Sequence, residues 1–391
     1  MKKICVITSS RADYGLLYPL IQEIRSSPVL KLQLIVSGSH LSPQHGMTIN
    51  FIHRDNLFVD FEVPIIQKSD SDLDINNAFS IGINGFANAY KKLTPDLVLI
   101  LGDRYEILAS AISATIMNVP IVHLHGGEIT RGAYDDAFRH SITKMAHFHF
   151  VAANPYKERV IQLGENPNHV FCVGGLGVDA IKKVSVLSRK ELAKELNIQL
   201  KEKVFLVTFH PVTLEKSKSL YQINSLLEAL GKILEQKIYD LSILFTLPNA
   251  DAEGTKIACK IEKFVKKYSD VFVFPSLGQK KYYSCLKHFD LIIGNSSSGL
   301  LEAPTFKIPT VNIGSRQEGR LKATSVIDCG GSKNSIIDAI NLALSNSFAP
   351  QIINAKNPYG NGGSSKKIVS VLEKIEIEKI ENKTFFDIEI K

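Results

Sequence analysis

Short apolar runs that end abruptly in charge constrain this chain more than any other feature. Leu97-Val98-Leu99-Ile100-Leu101 runs straight into Gly102-Asp103-Arg104-Tyr105-Glu106, and a second short run ends in His123-Leu124-His125-Gly126-Gly127-Glu128. Continuous apolar runs of this length suit strands buried on both faces, as in parallel sheets covered by helices. Ile4 to Thr8, Leu32 to Val36, Val59 to Val63, Pro120 to His123 and Phe148 to Val151 read the same way. Helical spacing fills most of the gaps, from Tyr14 onward, over Ile75 to Leu93 and over Tyr105 to Met117. The alternation restarts at Val204 to Phe209 and continues through Leu241 to Thr246, Val271 to Phe274, Leu291 to Ile293 and Thr310 to Asn312. The expected fold class is α/β, with two doubly wound Rossmann-like domains facing across a cleft.

A length of 391 residues is too great for one ordinary core and fits two domains. The polar, lysine-rich segment 182–202 marks the junction, so the expected domains span 1–181 and 182–365. Residues 366–391 form a terminal helix and tail, available to pack back on the first domain. Hydrophobic content of 45% and charged content of 22% are globular values. The net charge of +7 is spread thinly, without an arginine block or aromatic platform. It suits a small phosphorylated ligand better than nucleic acid.

Five separated cysteines give neither a disulfide framework nor a paired metal spacing and suit a reducing compartment. The apolar run after Met1-Lys2-Lys3 stops at Ser9-Ser10-Arg11, too short for a secretion signal. No run reaches the roughly 18 apolar residues that span a bilayer. A cytoplasmic protein with no membrane partner is expected.

Asp103, Glu128 and the Asp135-Asp136 pair are candidate acids and bases. Carboxylates gathered in a partly dry cleft raise one another's pKa; any one alone would read as solvated surface. Arg139-His140 follows one helical turn later. His123 and His125, two apart in a strand, share a face and could ligate metal with Asp103 or Glu128. A histidine bonded to a carboxylate without metal is the commoner arrangement, so neither metal nor cofactor is expected. His147 and His149 repeat the spacing in a buried run and read as structural.

Asn295-Ser296-Ser297-Ser298-Gly299 lies between a strand and a helix holding Glu302. Small residues let a ligand approach the backbone, and free N–H groups at a helix start favour phosphate; the simpler role is a serine cap. Arg11 has phosphate or Asp13 as its partner, and Arg104 a ligand or Asp103. Arginine's fixed fork suits phosphate oxygens. His210-Pro211 ends a strand of the second half.

Taken in order, these motifs resemble the UDP-N-acetylglucosamine 2-epimerases, specifically the hydrolysing branch that feeds sialic-acid and related nonulosonic-acid synthesis. The likeness runs from Thr8-Ser9-Ser10-Arg11-Ala12-Asp13-Tyr14 to Asn357-Pro358-Tyr359-Gly360, through Pro248-Asn249-Ala250-Asp251 and Asn312-Ile313-Gly314-Ser315-Arg316. It implies the glycosyltransferase-B architecture and a UDP pocket lined by Arg11, Arg104, His210, Asn249, Ser296, Ser297, Glu302 and Arg316, with His40 and Arg139 also binding substrate. It implies proton transfer by Asp103 with Glu128, His125, Asp135 or Asp136. Some relatives carry glutamate at the His125 position, and the Asp-Asp pair is offset by one residue from theirs. The role therefore falls to His125 or Glu128, and to Asp135 or Asp136.

The implied reaction converts UDP-GlcNAc and water to ManNAc and UDP through a glycal, without cofactor, in a dimer or tetramer. Alternatives are the same chemistry on UDP-N,N'-diacetylbacillosamine, a glycosyltransferase of the same fold, and a non-catalytic nucleotide-sugar-binding regulator.

Overall fold

The computed structural model describes residues 1–43, 46–65, 71–130, 134–211, 216–248, 254–380 and 382–388. The chain divides into two compact units. The first holds Met1–Glu128, Tyr134–Ala180 and Tyr359–Lys391, the second Ile129–Ala133 and Ile181–Pro358.

The first unit is built on strands β1 (Lys2–Thr8), β2 (Leu30–Ser37), β3 (Phe61–Val63), β4 (Leu97–Leu101), β5 (Ile121–Leu124), β6 (Phe148–Val151) and β7 (Val170–Cys172). Their order is β3-β2-β1-β4-β5-β6-β7, with every neighbouring pair parallel. The order reverses between β1 and β4, the switch point at which doubly wound sheets bind ligands. Alternate residues serve opposite faces. Ile4, Val6 and Leu99 pack on one side with the helices Arg11–Ser26 and Ser364–Lys374. Cys5, Ile7, Val98 and Ile100 pack on the other with Asp72–Leu93 and Tyr105–Ile116. Both faces are buried, which explains why these strands are apolar throughout.

The second unit repeats the plan with β8 (Lys203–Thr208), β9 (Leu241–Thr246), β10 (Val271–Phe274), β11 (Leu291–Gly294), β12 (Thr310–Ile313) and β13 (Val326–Cys329). The order is β10-β9-β8-β11-β12-β13, again parallel throughout and reversing between β8 and β11. Phe205, Val207, Phe245 and Ile293 centre its core.

The terminal helix Ser364–Lys374 belongs to the first unit. The Asp179 carboxylate accepts backbone N–H groups from Gly363, Ser364 at 3.0 Å and Ser365 at 2.6 Å. Lys2 Nζ donates to the Leu372 carbonyl at that helix's other end, at 2.7 Å. Among the described residues no helix is long and apolar enough to cross a membrane.

Candidate active site

Three groups meet at the carboxyl edge of the first sheet. After β4 the chain turns at Gly102 and presents Asp103. After β5 comes the turn His125-Gly126-Gly127-Glu128. A Cβ on Gly127, where φ is +76°, would lie 2.4 Å from the Tyr156 carbonyl oxygen, so only glycine closes this turn. Within the turn the Leu176 N–H donates to His125 Nε2 at 3.3 Å. The ring hydrogen is thereby left on Nδ1, which donates to Glu128 Oε1 at 2.9 Å.

The helix Asp135–Met145 supplies the third group. Arg139, only 4% exposed, donates through Nη2 to the Asp103 carboxylate. Its Nη1 donates to the His125 carbonyl at 3.1 Å and lies 3.8 Å from Glu128 Oε2. One buried guanidinium therefore ties both strand ends to the helix. Asp135 lies one turn before Arg139 on the same helix face. Burial, and then the neighbouring Asp103 charge, push its carboxyl up to about 6 against the opposing pull of Arg104 and Arg139. Asp136 turns instead to His140, 3.7 Å away. The aspartates that the sequence leaves interchangeable thus have different surroundings.

Arg104 donates to Glu106 through Nη2 at 3.2 Å and Nε at 3.3 Å. Glu106 is buried, while the Arg104 side chain is about half exposed at 49%. Arg11 opens the helix Arg11–Ser26 and lies with its guanidinium carbon 4.4 Å from the centre of the Phe51 ring. Asp13 accepts instead from the hydroxyls of Thr8 and Ser9 and from the N–H groups of Ser9 and Ser10. It organises the loop after β1.

In the second unit Asn295, fully buried, joins three motifs. The His210 N–H donates to its Oδ1 at 2.7 Å, and its Nδ2 returns a bond to the His210 carbonyl at 2.8 Å. Its own carbonyl accepts from Arg316 Nη1 at 3.0 Å and Gln317 Nε2 at 2.8 Å. Burial, with Arg316 nearby, pushes the His210 ring down to about 3, so it stays neutral. The helix after the serines is a single turn, Ser298–Leu301, with Glu302 at its end. Tyr282 donates to Ser298 Oγ at 2.7 Å, and Ser298 in turn donates to Glu302. Burial raises the Glu302 pKa. Ser296 and Ser297 lie partly exposed in the same loop, and Asn249 falls outside the described residues.

A family model described as UDP-N-acetylglucosamine 2-epimerase matches residues 22–373. The chain belongs to that family. It is 39% identical over 389 residues to a protein of Campylobacter jejuni named GDP/UDP-N,N'-diacetylbacillosamine 2-epimerase (hydrolyzing), covering 99% of each chain. It is 37% identical to an Escherichia coli polysialic acid biosynthesis protein P7, covering 99% of this chain and 98% of that one. A crystal structure titled as a Neisseria meningitidis UDP-GlcNAc 2-epimerase bound to UDP-GlcNAc matches with a TM-score of 0.82 at 19% identity. It covers 96% of this chain and 100% of that one, a likeness of fold.

Within this epimerase-family fold, two residues expected to bind substrate have well-defined protein partners. His40 is fully buried, with Nε2 3.0 Å from Thr8 Oγ1 and Nδ1 2.8 Å from Thr48 Oγ1. Both ring nitrogens thus lie beside threonine hydroxyls that flank the loop after β1. Arg139 meets two protein carboxylates and a carbonyl. The expectation that His123 and His125 share a strand face is corrected. His123 is buried and bonds the Gly102 carbonyl at 2.9 Å, while His125 lies past the strand end with a φ of +61°. Sequence reasoning missed Glu106, Phe51 and the clamping side chain of Asn295. Glu106 had a visible signal, standing two residues from Arg104 at a helix start.

Proposed function

We propose that this chain hydrolyses a UDP-2-acetamido sugar with inversion at carbon 2, taking UDP-GlcNAc to free ManNAc and UDP. The observation that carries this reading is the acidic cluster at the carboxyl edge of the first sheet, where buried Arg139 donates to Asp103 and lies 3.8 Å from Glu128, in a chain of the UDP-N-acetylglucosamine 2-epimerase family. Asp135, pushed up to about 6 in this cluster, suits taking and releasing a proton near neutrality.

The proton on carbon 2 is not acidic until the bond from carbon 1 to UDP loosens and positive charge develops on the ring. Asp135 then removes it as UDP departs, leaving a carbon 1–carbon 2 double bond. Glu128, entering this step protonated and held by the His125 Nδ1–H, delivers that proton to the opposite face of carbon 2. Water adds its hydroxyl to carbon 1, and its remaining proton returns to the Glu128 carboxylate through solvent. Arg11 and Arg104 are the cations assigned to stabilise the departing diphosphate, with Arg316, His210, Glu302, Ser296 and Ser297 assigned to the nucleotide.

A second reading keeps this chemistry on UDP-N,N'-diacetylbacillosamine, favoured by the name of the relative at 39% identity. Proton NMR in D₂O with each UDP-sugar tests both. Free sugar carrying deuterium at carbon 2 supports the proposal, and the faster substrate names the sugar. Sugar released without deuterium there overturns it, and transfer only to an acceptor favours a glycosyltransferase. Glu128→Gln is expected to release UDP and accumulate the glycal, detected by its vinyl proton. A cytoplasmic dimer or tetramer is part of the same proposal, read by light scattering on the purified chain.

A further inference from the structure

The C-terminal segment reaches the far end of the helix that carries Asp135 and Arg139. A helix leaves its last carbonyls without intrahelical donors, and a cation there is favourable. Lys383 supplies one. Its ammonium donates to the Thr143 carbonyl at 3.1 Å and to the carbonyl of Ala146, which ends the helix Asp135–Met145. The same ammonium donates to Glu165, a buried carboxylate that also accepts Lys144 Nζ at 2.7 Å and His149 Nε2 at 2.9 Å. Burial alone would raise the Glu165 pKa, but these donors bring it below its ordinary value. The segment is held nearby by the Phe386 N–H, which donates to the Gly164 carbonyl at 3.0 Å. The Phe385 ring centre lies 4.7 Å from Lys144 Nζ. With Arg139 bonded to Asp103 nearer the other end, these bonds fix the helix in its axial position.

We infer that Lys383 is a positioning residue for the reaction proposed above, on which this inference rests. It holds the helix in the register that lets Arg139 meet Asp103 and sets Asp135 beside them, and it touches no substrate. A misplacement of about 1 Å at reacting groups costs about a hundredfold in rate, so partial release of one helix end should cost about tenfold.

The test compares K383M, K383R and the unaltered chain by kcat and KM for UDP release, with circular dichroism recorded at the assay temperature. K383M is expected to lose about tenfold in kcat at unchanged KM. K383R, which keeps the cation, is expected to stay within about twofold of the unaltered chain. Turnover by K383M within twofold of the unaltered chain overturns the inference, as does an equal loss in both variants. Failure of K383M to fold at the assay temperature overturns it too, because the ammonium would then be structural only. If the unaltered chain itself releases no UDP from either sugar, the functional reading has failed, a result visible before any variant is compared.

Discussion

At the scale of single residues, the carboxyl of Asp135 makes the sharpest commitment. Its ordinary value is 3.8 and the folded chain holds it near 6. As the base it must be ionised, so kcat/KM should fall as pH drops through about 6. Asp135→Asn should lower kcat by about 10²- to 10⁴-fold. The same shift makes a stability statement of opposite sense to a salt-bridged carboxylate. Below pH 3.8 both folded and unfolded chains hold this proton, and nothing is lost. Between 3.8 and about 6 the unfolded chain releases it first, so the native state loses stability as pH rises, and above 6 the loss is complete. Asp135→Asn should therefore raise Tm at pH 8 and leave it unchanged at pH 3.5. Thermal scans at the two pH values check this, and an equal Tm change at both would contradict the shift. Arg139 belongs to this scale as well: 36 residues separate it from Asp103, yet the pair defines the geometry of the acids.

At the scale of elements, the seam between β8 and β11 carries the second unit's loops. Gly294 ends β11 with a φ of +138°, and a Cβ there would lie 1.9 Å from the Thr208 carbonyl oxygen. Backbone cannot yield as a flexible side chain would, so Gly294→Ala must part the two strands or twist the turn. A loss of about 3 kcal/mol or more is expected, read as a lower urea midpoint. Weaker UDP binding should accompany it in calorimetry, because Asn295, which clamps His210 and Arg316, is the next residue. Most strands at such seams announce themselves by apolar runs. Strands β7 and β13 do not: Val170-Phe171-Cys172 and Val326-Ile327-Asp328-Cys329 are short, partly exposed edge strands. They become strands through pairing with β6 and β12, and no local period reports that.

At the scale of the whole molecule, the chain leaves its second unit and closes on the first. Asp179 receives three successive N–H groups at the start of the helix Ser364–Lys374. Lys2 and Lys383 then meet carbonyls at the ends of two helices. Hydrogen bonds to a charged acceptor are each worth about 1.5–3 kcal/mol. Asp179→Asn, which can accept at only one atom, should loosen the terminal helix before the sheet unfolds. Limited proteolysis should then cut near residues 359–363 faster than in the unaltered chain, and an unchanged digest would show that the helix is held by its apolar face alone.

The alternation of apolar strands with helical periods is local information, and it sufficed for the α/β class, the two doubly wound units and most strand positions. The ordered motifs likewise carried the family, because turns at the carboxyl ends of strands have small, fixed requirements such as glycine at 127. Partner choice among charged side chains came only with tertiary structure. Asp135 and Asp136 are neighbours of the same type, and no property of either tells which faces Asp103. That is decided by the rotation of one helix against the sheet edge. His40 and Arg139 show the same limit: a polar side chain beside a motif is equally suited to bind substrate or to brace the loop that does, and only the fold supplies its protein partners.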